Sequence, residues 1–187
     1  SHIYGRLSLI GVDPVLEIRG KDGEFSITAL NSRAAEYLDR ISDDDLRICD
    51  NFKRSAAIIE GQIYKEICLF DESQRTMQKN ISQIIRLMLA KFHQADRGFL
   101  GLYGAFSYDF IRLFEDIPMV LKDEGVDDFR LCLYDSFVFF DHLKDLAEII
   151  VYREDDDDAE EAIERIFEAF DDEEKNDKFT VSEGKFD

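Results

Sequence analysis

The sequence contains no tryptophan, two prolines and only three histidines among its 187 residues. The histidines stand at positions 2, 93 and 142, far apart along the chain. No His-x-x-x-His or Cys-x-x-Cys spacing occurs, so a zinc site has no sequence support. The phosphate-cradling pattern Gly-x-x-x-x-Gly-Lys-Ser/Thr is missing, as is Gly-x-Ser-x-Gly. No apolar run approaches the length of a membrane span, and these residues contain no signal-peptide pattern. Three cysteines, Cys49, Cys68 and Cys132, are odd in number, widely spaced and set beside apolar neighbours. That arrangement reads as buried or half-buried thiols in a reducing cytoplasm rather than a disulfide framework. None has a neighbour that would activate a thiolate.

What the chain does have is phenylalanine and acid. Hydrophobic residues make up 45% of it, with 16 Phe, enough to fill an ordered interior. The net charge of −19 argues against nucleic-acid binding. Residues 154–187 carry −12 of it and residues 1–153 only −7. Asp155 to Asp158 fail as a calcium loop, because Glu160 stands where the loop needs its Gly. Four acids immediately before a helix suit the positive end of its dipole.

Periodicity gives an order of elements. Leu7 to Ile10 reads as a short strand ending at the turn Gly11-Val-Asp-Pro14. Val15 to Arg19 alternates as a half-buried strand. Gly20-Lys-Asp-Gly23 reads as a hairpin loop returning through Glu24 to Leu30. Asn31-Ser32 is expected to cap a helix over Arg33 to Asp39. Ala56 to Glu60 is open between strand and helix. A helix is expected within Asp71 to Ala95, its stripe being Ile81, Ile84, Ile85, Met88, Leu89 and Phe92. Leu131 to Tyr134, Phe137 to Phe140 and Ala147 to Tyr152 read as strands, the last two joined by the hairpin Asp141 to Asp145. Ala159 to Phe170 is expected to be amphipathic, with Ala162, Ile163, Ile166 and Phe167 on one face. Residues 171–187 read as a linker. Strands in meanders with interspersed helices imply α+β with mainly antiparallel sheets and flanking helices.

The segment Gly98-Phe-Leu-Gly-Leu-Tyr-Gly-Ala-Phe-Ser-Tyr-Asp109 is the most informative. It begins as a strand apolar on both faces, and three glycines in seven residues cost chain entropy. Glycine inside a strand marks close backbone approach, a bend or a bulge, so a buried strand under a helix explains the hydrophobicity but not the glycines. Their spacing is wrong for a dinucleotide fingerprint. Ser107 is placed to cap the helix that follows, with Asp109 in its first turn, so Tyr108-Asp109 needs no catalytic role.

This stretch, with Arg112-Leu-Phe-Glu-Asp-Ile-Pro118, Leu131-Cys-Leu-Tyr-Asp135 and Phe137-Val-Phe-Phe-Asp-His142, resembles the N-terminal part of anthranilate synthase component I. Arg6-Leu-Ser-Leu-Ile-Gly-Val-Asp-Pro14 and Ser26-Ile-Thr-Ala-Leu-Asn31 look like the same family's early strands. The likeness implies a domain over residues 1–153 that is half of that family's fold. It implies that 154–187 form an acidic helix and linker toward a C-terminal chorismate-binding half not present in this sequence. The parent would be a cytoplasmic lyase converting chorismate, with ammonia or glutamine, to anthranilate and pyruvate in tryptophan biosynthesis. Mg²⁺ would sit in the catalytic half, with no cofactor and no catalytic residue here. The partners implied are the chorismate-binding half and a glutamine amidotransferase, as a subunit or a fused domain. Tryptophan would be the feedback inhibitor. From its site only Ser1, Arg6 and Ser8 carry over. Without the resemblance, Ser8 is an outward polar residue on an alternating strand and Arg6 a solvated edge charge.

Two other readings fit the residues. One is the N-terminal part of aminodeoxychorismate synthase, of folate synthesis, which has a similar glycine-rich strand. The other is a stand-alone acidic interaction module, which would expose no apolar edge and would melt sharply as a monomer.

Overall fold

Asp22 and Gly23 set the first hairpin. Both have positive φ, 50° and 86°, as a type I′ turn requires, and its twist matches that of the flanking strands. The computed structural model describes residues 5–65, 78–94, 98–115, 117–118 and 125–171. In it β2 (Leu16–Lys21) and β3 (Glu24–Ala29) pair antiparallel, with Lys21 opposite Glu24. The loop is therefore two residues, not the expected four. Gly20 belongs to β2, opposite Phe25 on one side and Phe129 on the other.

The chain divides into two compact units, one of Gly11–Phe137 and one of residues 1–10 with 138–187. In the larger unit the hairpin lies within a six-stranded sheet. The added strands are β4 (Asn51–Arg54), β5 (Ile58–Gln62), β6 (Gly101–Phe106) and β7 (Phe129–Tyr134), in the order β4-β5-β3-β2-β7-β6. All neighbouring pairs are antiparallel. The ambiguous Ala56–Glu60 segment is strand from Ile58 on, with Ile59 opposite Ile27.

Alternation puts one face of this sheet in the core. Leu16 and Ile18 of β2, Ile27 of β3, Ile59 of β5 and Phe129, Leu131 and Leu133 of β7 are all buried. Ile84, Met88 and Phe92 join the same cluster from α2 (Ser82–Phe92), with Ile81 at its N-cap, as do Ala34 and Leu38 from α1 (Ala34–Asp39). Each of these side chains larger than alanine contributes about 1.5–3 kcal/mol by leaving water. The α2 stripe is as expected except Leu89, 43% exposed at its margin. Asp71 to Met77, expected to start this helix, lie outside the described residues, as does Cys68.

Two expected caps differ. The N-cap of α1 is Arg33 and makes no side-chain capping bond; Asn31 Oδ1 instead accepts the Arg33 N–H at 3.1 Å. Tyr108–Leu113 is a 3-10 helix preceded by Ser107, whose buried Oγ has no hydrogen-bond partner among the described residues and makes no capping bond.

The glycine-rich stretch is corrected further. Its strand starts at Gly101, and β6 is the last strand of the sheet. It contacts α2, but Tyr103 and Phe106 are exposed at 38% and 51%. Among the described residues no atom lies near the missing Cβ of Gly98, whereas a Cβ on Gly104 would clash with the Arg130 carbonyl oxygen. One glycine of the three is therefore there for close approach.

The smaller unit contains the sheet β1-β8-β9, of β1 (Leu7–Gly11), β8 (Ser136–Asp141) and β9 (Leu146–Val151). The four-residue connection from Asp141 makes β8 and β9 an antiparallel hairpin. The helix α3 (Asp156–Asp171) packs on β9. Asp155 Oδ1 accepts the N–H groups of Asp157 and Asp158, and Arg153 pairs with Asp158 at 3.0 Å. The acid run thus caps its own helix. Of the expected apolar face only Ala162 and Ile166 are buried; Ile163 and Phe167 are 39% and 63% exposed.

Cys49 and Cys132 are free and half-buried. Burial pushes the Cys49 thiol up to about 11. Alkylation by iodoacetamide at pH 8, followed site by site by mass spectrometry, is expected to modify Cys49 on the order of a hundredfold more slowly than free cysteine, since only the thiolate reacts.

Candidate functional site

The sequence pointed to the first strand, and the structure places its polar residues against the end of β8. The Arg6 carbonyl accepts the His142 N–H at 2.8 Å. The Arg6 guanidinium bonds Asp141 through Nε at 3.5 Å and Nη2 at 3.2 Å. Asp141 is 4% exposed. Arg6 foremost, and then the Leu143 and Lys144 N–H groups, hold its carboxyl below the usual range. The Ser8 hydroxyl lies 2.8 Å from His142 Nε2, and the His142 ring stacks on Phe140 at 6.2 Å and 9°.

Arg6 and Ser8 are thus brought together on one sheet, each oriented by a residue 134 or 135 positions later. Arg6 is half exposed but ion-paired, so it is not the solvated charge that strand position alone suggests. Ser1 lies outside the described residues. Among the described residues no group of three or more His, Cys, Asp or Glu is placed to hold a metal ion. No helix among them is long and apolar enough to cross a membrane.

A second polar constellation, in the larger unit, was not foreseen. Asp135 is fully buried. It accepts the Tyr37 hydroxyl at 2.8 Å, the Ser136 hydroxyl at 3.0 Å and Arg33 Nη2 at 3.4 Å. Arg33 also bonds Asp13, through Nη1 to Oδ2 at 2.8 Å and Nη2 to the carbonyl at 3.2 Å. Asn31 Nδ2 adds a bond to the Pro14 carbonyl at 3.1 Å. Asp13 has φ 51°, a left-handed conformation that Asp tolerates better than most residues. The only local hint was a turn signature at Asp13-Pro14.

No protein-family model matches the chain. It is 28% identical over 152 residues to an anthranilate synthase of Azospirillum brasilense, covering 80% of this chain and 21% of that protein. Over 85 residues it is 35% identical to anthranilate synthase component 1 of Acetivibrio thermocellus, covering 42% of this chain and 17% of that one. The crystal structure of anthranilate synthase component I from Streptococcus pneumoniae TIGR4 aligns with 91% of this chain and 30% of its own, at a TM-score of 0.49 and 17% identity. The chain spans between 17% and 27% of the length of the curated relatives it matches. Over most of its length this chain is related in sequence to anthranilate synthase component I.

Proposed function

We propose that this chain is a regulatory and scaffolding portion of an anthranilate synthase component I and makes no bond-breaking contribution itself. The observation that carries the reading is the sequence likeness, which runs through strands of both compact units. The full enzyme would convert chorismate and ammonia, the latter released by a glutamine amidotransferase, to anthranilate and pyruvate. Mg²⁺ and the reacting groups would be held by a chorismate-binding region outside this sequence.

Exposed apolar side chains support a surface that expects more protein. In the larger unit Phe106, Tyr108 and Ile111 are exposed along the edge strand and the 3-10 helix after it. In the smaller unit Leu7, Leu146, Ile163 and Phe167 are exposed. An edge strand and apolar faces of this kind promote association. The isolated chain is therefore expected to self-associate or to melt at a concentration-dependent temperature, and the interaction-module reading expects neither.

Arg6 and Ser8, held by Asp141 at the end of β8 and by His142 just after it, are the groups proposed to meet the inhibitor tryptophan, with Ser1 completing the set. A fixed cation and hydroxyl suit an amino-acid carboxylate, because their orientation is settled before binding. The test uses the chain within its full reading frame, supplied with chorismate, Mg²⁺ and ammonia, with anthranilate followed by fluorescence. Product formation that tryptophan suppresses is expected. The tryptophan concentration needed should rise about 5-fold or more in Ser8→Ala and Arg6→Met, as coupling energies of this kind imply. Aminodeoxychorismate in place of anthranilate would move the chain to folate synthesis. Unaltered inhibition in both variants would remove them from the effector site.

A further inference from the structure

The contact between Ser8 and His142 decides which way the Ser8 hydroxyl points its proton. The His142 ring is held by more than that contact. It lies nearly parallel to Phe140, with 9° between the planes. Its backbone N–H bonds the Arg6 carbonyl on β1 at 2.8 Å. A residue anchored on both strands keeps Nε2 facing the Ser8 hydroxyl, 2.8 Å away. When Nε2 is bare, the Ser8 O–H donates to it and Ser8 offers a ligand only lone pairs. When Nε2 carries a proton, the ring donates to Oγ and the Ser8 O–H is free to donate elsewhere. The imidazolium has an N–H on each nitrogen, so it enforces the second arrangement. It also adds a positive charge to the sheet that holds Arg6.

The charged groups around the ring leave this choice to His142. Arg6 of β1 and Lys144 of the following loop lie 3.2 and 3.8 Å from Asp141 at the end of β8. That carboxylate is therefore paired from two sides. Asp145 follows in the same loop, and Glu148 stands on β9. Among the described residues none of these acids is ion-paired with the His142 ring, whose hydrogen-bond partner is Ser8. The engagement of Asp141 with Arg6 also removes the group that would orient a hydrolytic Ser–His pair, so nucleophilic catalysis is not what the contact provides.

We infer, on the reading of Arg6 and Ser8 as the groups that meet tryptophan, that His142 is a positioning residue of the same site. Through Nε2 it sets the Ser8 hydroxyl as the donor to the ligand carboxylate. Histidine is the side chain that ordinarily changes charge between about pH 5 and 8. Protonation of His142 strengthens inhibition, so the gain is present at low pH and is lost as pH rises. Arg6 keeps its charge over that range, and the ligand carboxylate stays ionised, so neither supplies the dependence.

The test measures the tryptophan concentration for half-inhibition at about pH 6 and about pH 8, in enzyme made from the full reading frame. Wild type should need about 5-fold less tryptophan at the lower pH, the difference between a neutral and a charge-assisted hydrogen bond. His142→Gln, whose amide can still bond Ser8 but does not titrate, should remain inhibited with a flat pH profile. His142→Phe retains a ring to lie against Phe140 and loses the bond. It should need about as much tryptophan as Ser8→Ala, and the double variant about as much as either. His2→Gln, at a position outside the described residues, should keep the wild-type profile. A merely structural role for His142 would lower stability without flattening the profile. The inference is overturned if His142→Gln keeps the wild-type pH profile while Ser8→Ala and Arg6→Met weaken inhibition. If neither of those two variants alters inhibition, the effector-site reading fails and this inference fails with it.

Discussion

Gly104→Val is expected to detach β6 from the sheet and to cost about 3 kcal/mol, the upper end of overpacking penalties. Gly104 stands opposite Leu131. A Cβ there would clash with the Arg130 carbonyl oxygen and lie 2.9 Å from the Leu131 Cα. Both are backbone atoms of β7, a strand hydrogen-bonded on both sides, so they cannot turn aside as a side-chain tip can. The edge strand must move instead. Urea denaturation gives the stability loss. Hydrogen exchange gives its location, with amide protection lost along Gly101–Phe106 and kept in β2 and β3. Gly98→Ala is the control, because among the described residues nothing lies within 4 Å of the added carbon. If Gly104→Val keeps the β6 amides protected at wild-type stability, close approach is not what this glycine provides.

That contrast shows what was legible in the sequence. Alternation identified β2 because one face of it is buried and the other is not: Leu16 and Ile18 against Glu17 and Arg19; β7 shows the same pattern, Leu131 and Leu133 against Arg130 and Cys132. The hairpin was legible through Asp22-Gly23, since few residue pairs accept two positive φ values, but its loop was read two residues too long because Gly20 and Lys21 pair within β2. The glycine-rich stretch misled because apolarity on both faces usually means burial, whereas here the outer strand leaves aromatic side chains exposed. Sequence spacing also could not say which glycine faces a neighbour, since that depends on a strand about 27 residues later. In α3 the periodicity was real, but the expected stripe was wider than the contact with β9. Only Ala162 and Ile166 are covered, and Ile163 and Phe167 are left in solvent.

Arg6 and Ser8 were singled out through family likeness alone; their contacts with Asp141 and His142 were not legible, because no local pattern couples positions so far apart. The Arg33 network was hidden for the same reason. Asp135-Ser136 reads as a polar break between two apolar runs, the usual mark of a solvated connection. The structure buries both residues, and the compensating charge comes from Arg33, 102 positions earlier.

Arg33→Met should therefore be the most damaging charge removal in the larger unit, at about 3–5 kcal/mol, the range for taking one partner from a buried ion pair. The guanidinium is 17% exposed, while Asp135 is fully buried. Arg33 binds Asp13 two residues after the backbone enters this unit at Gly11, and Asp135 two residues before it leaves at Phe137. One side chain thus ties the entering and leaving segments together, beside the Val12 N–H bond to the Ser136 carbonyl at 2.9 Å. The long apolar stem of methionine keeps much of the packing, so the loss reports the charge. Tyr37→Phe, which removes one hydroxyl bond to the same carboxylate, should cost less, about 1–3 kcal/mol. The decisive comparison is Arg33→Met with Asp135→Asn, singly and combined, by chemical denaturation. If the buried charge is what makes Arg33→Met costly, the double variant will be more stable than the sum of the single losses predicts, because the asparagine leaves no stranded anion. Additive losses would mean that Arg33 acts through Asp13 alone, holding the left-handed turn rather than balancing the interior charge.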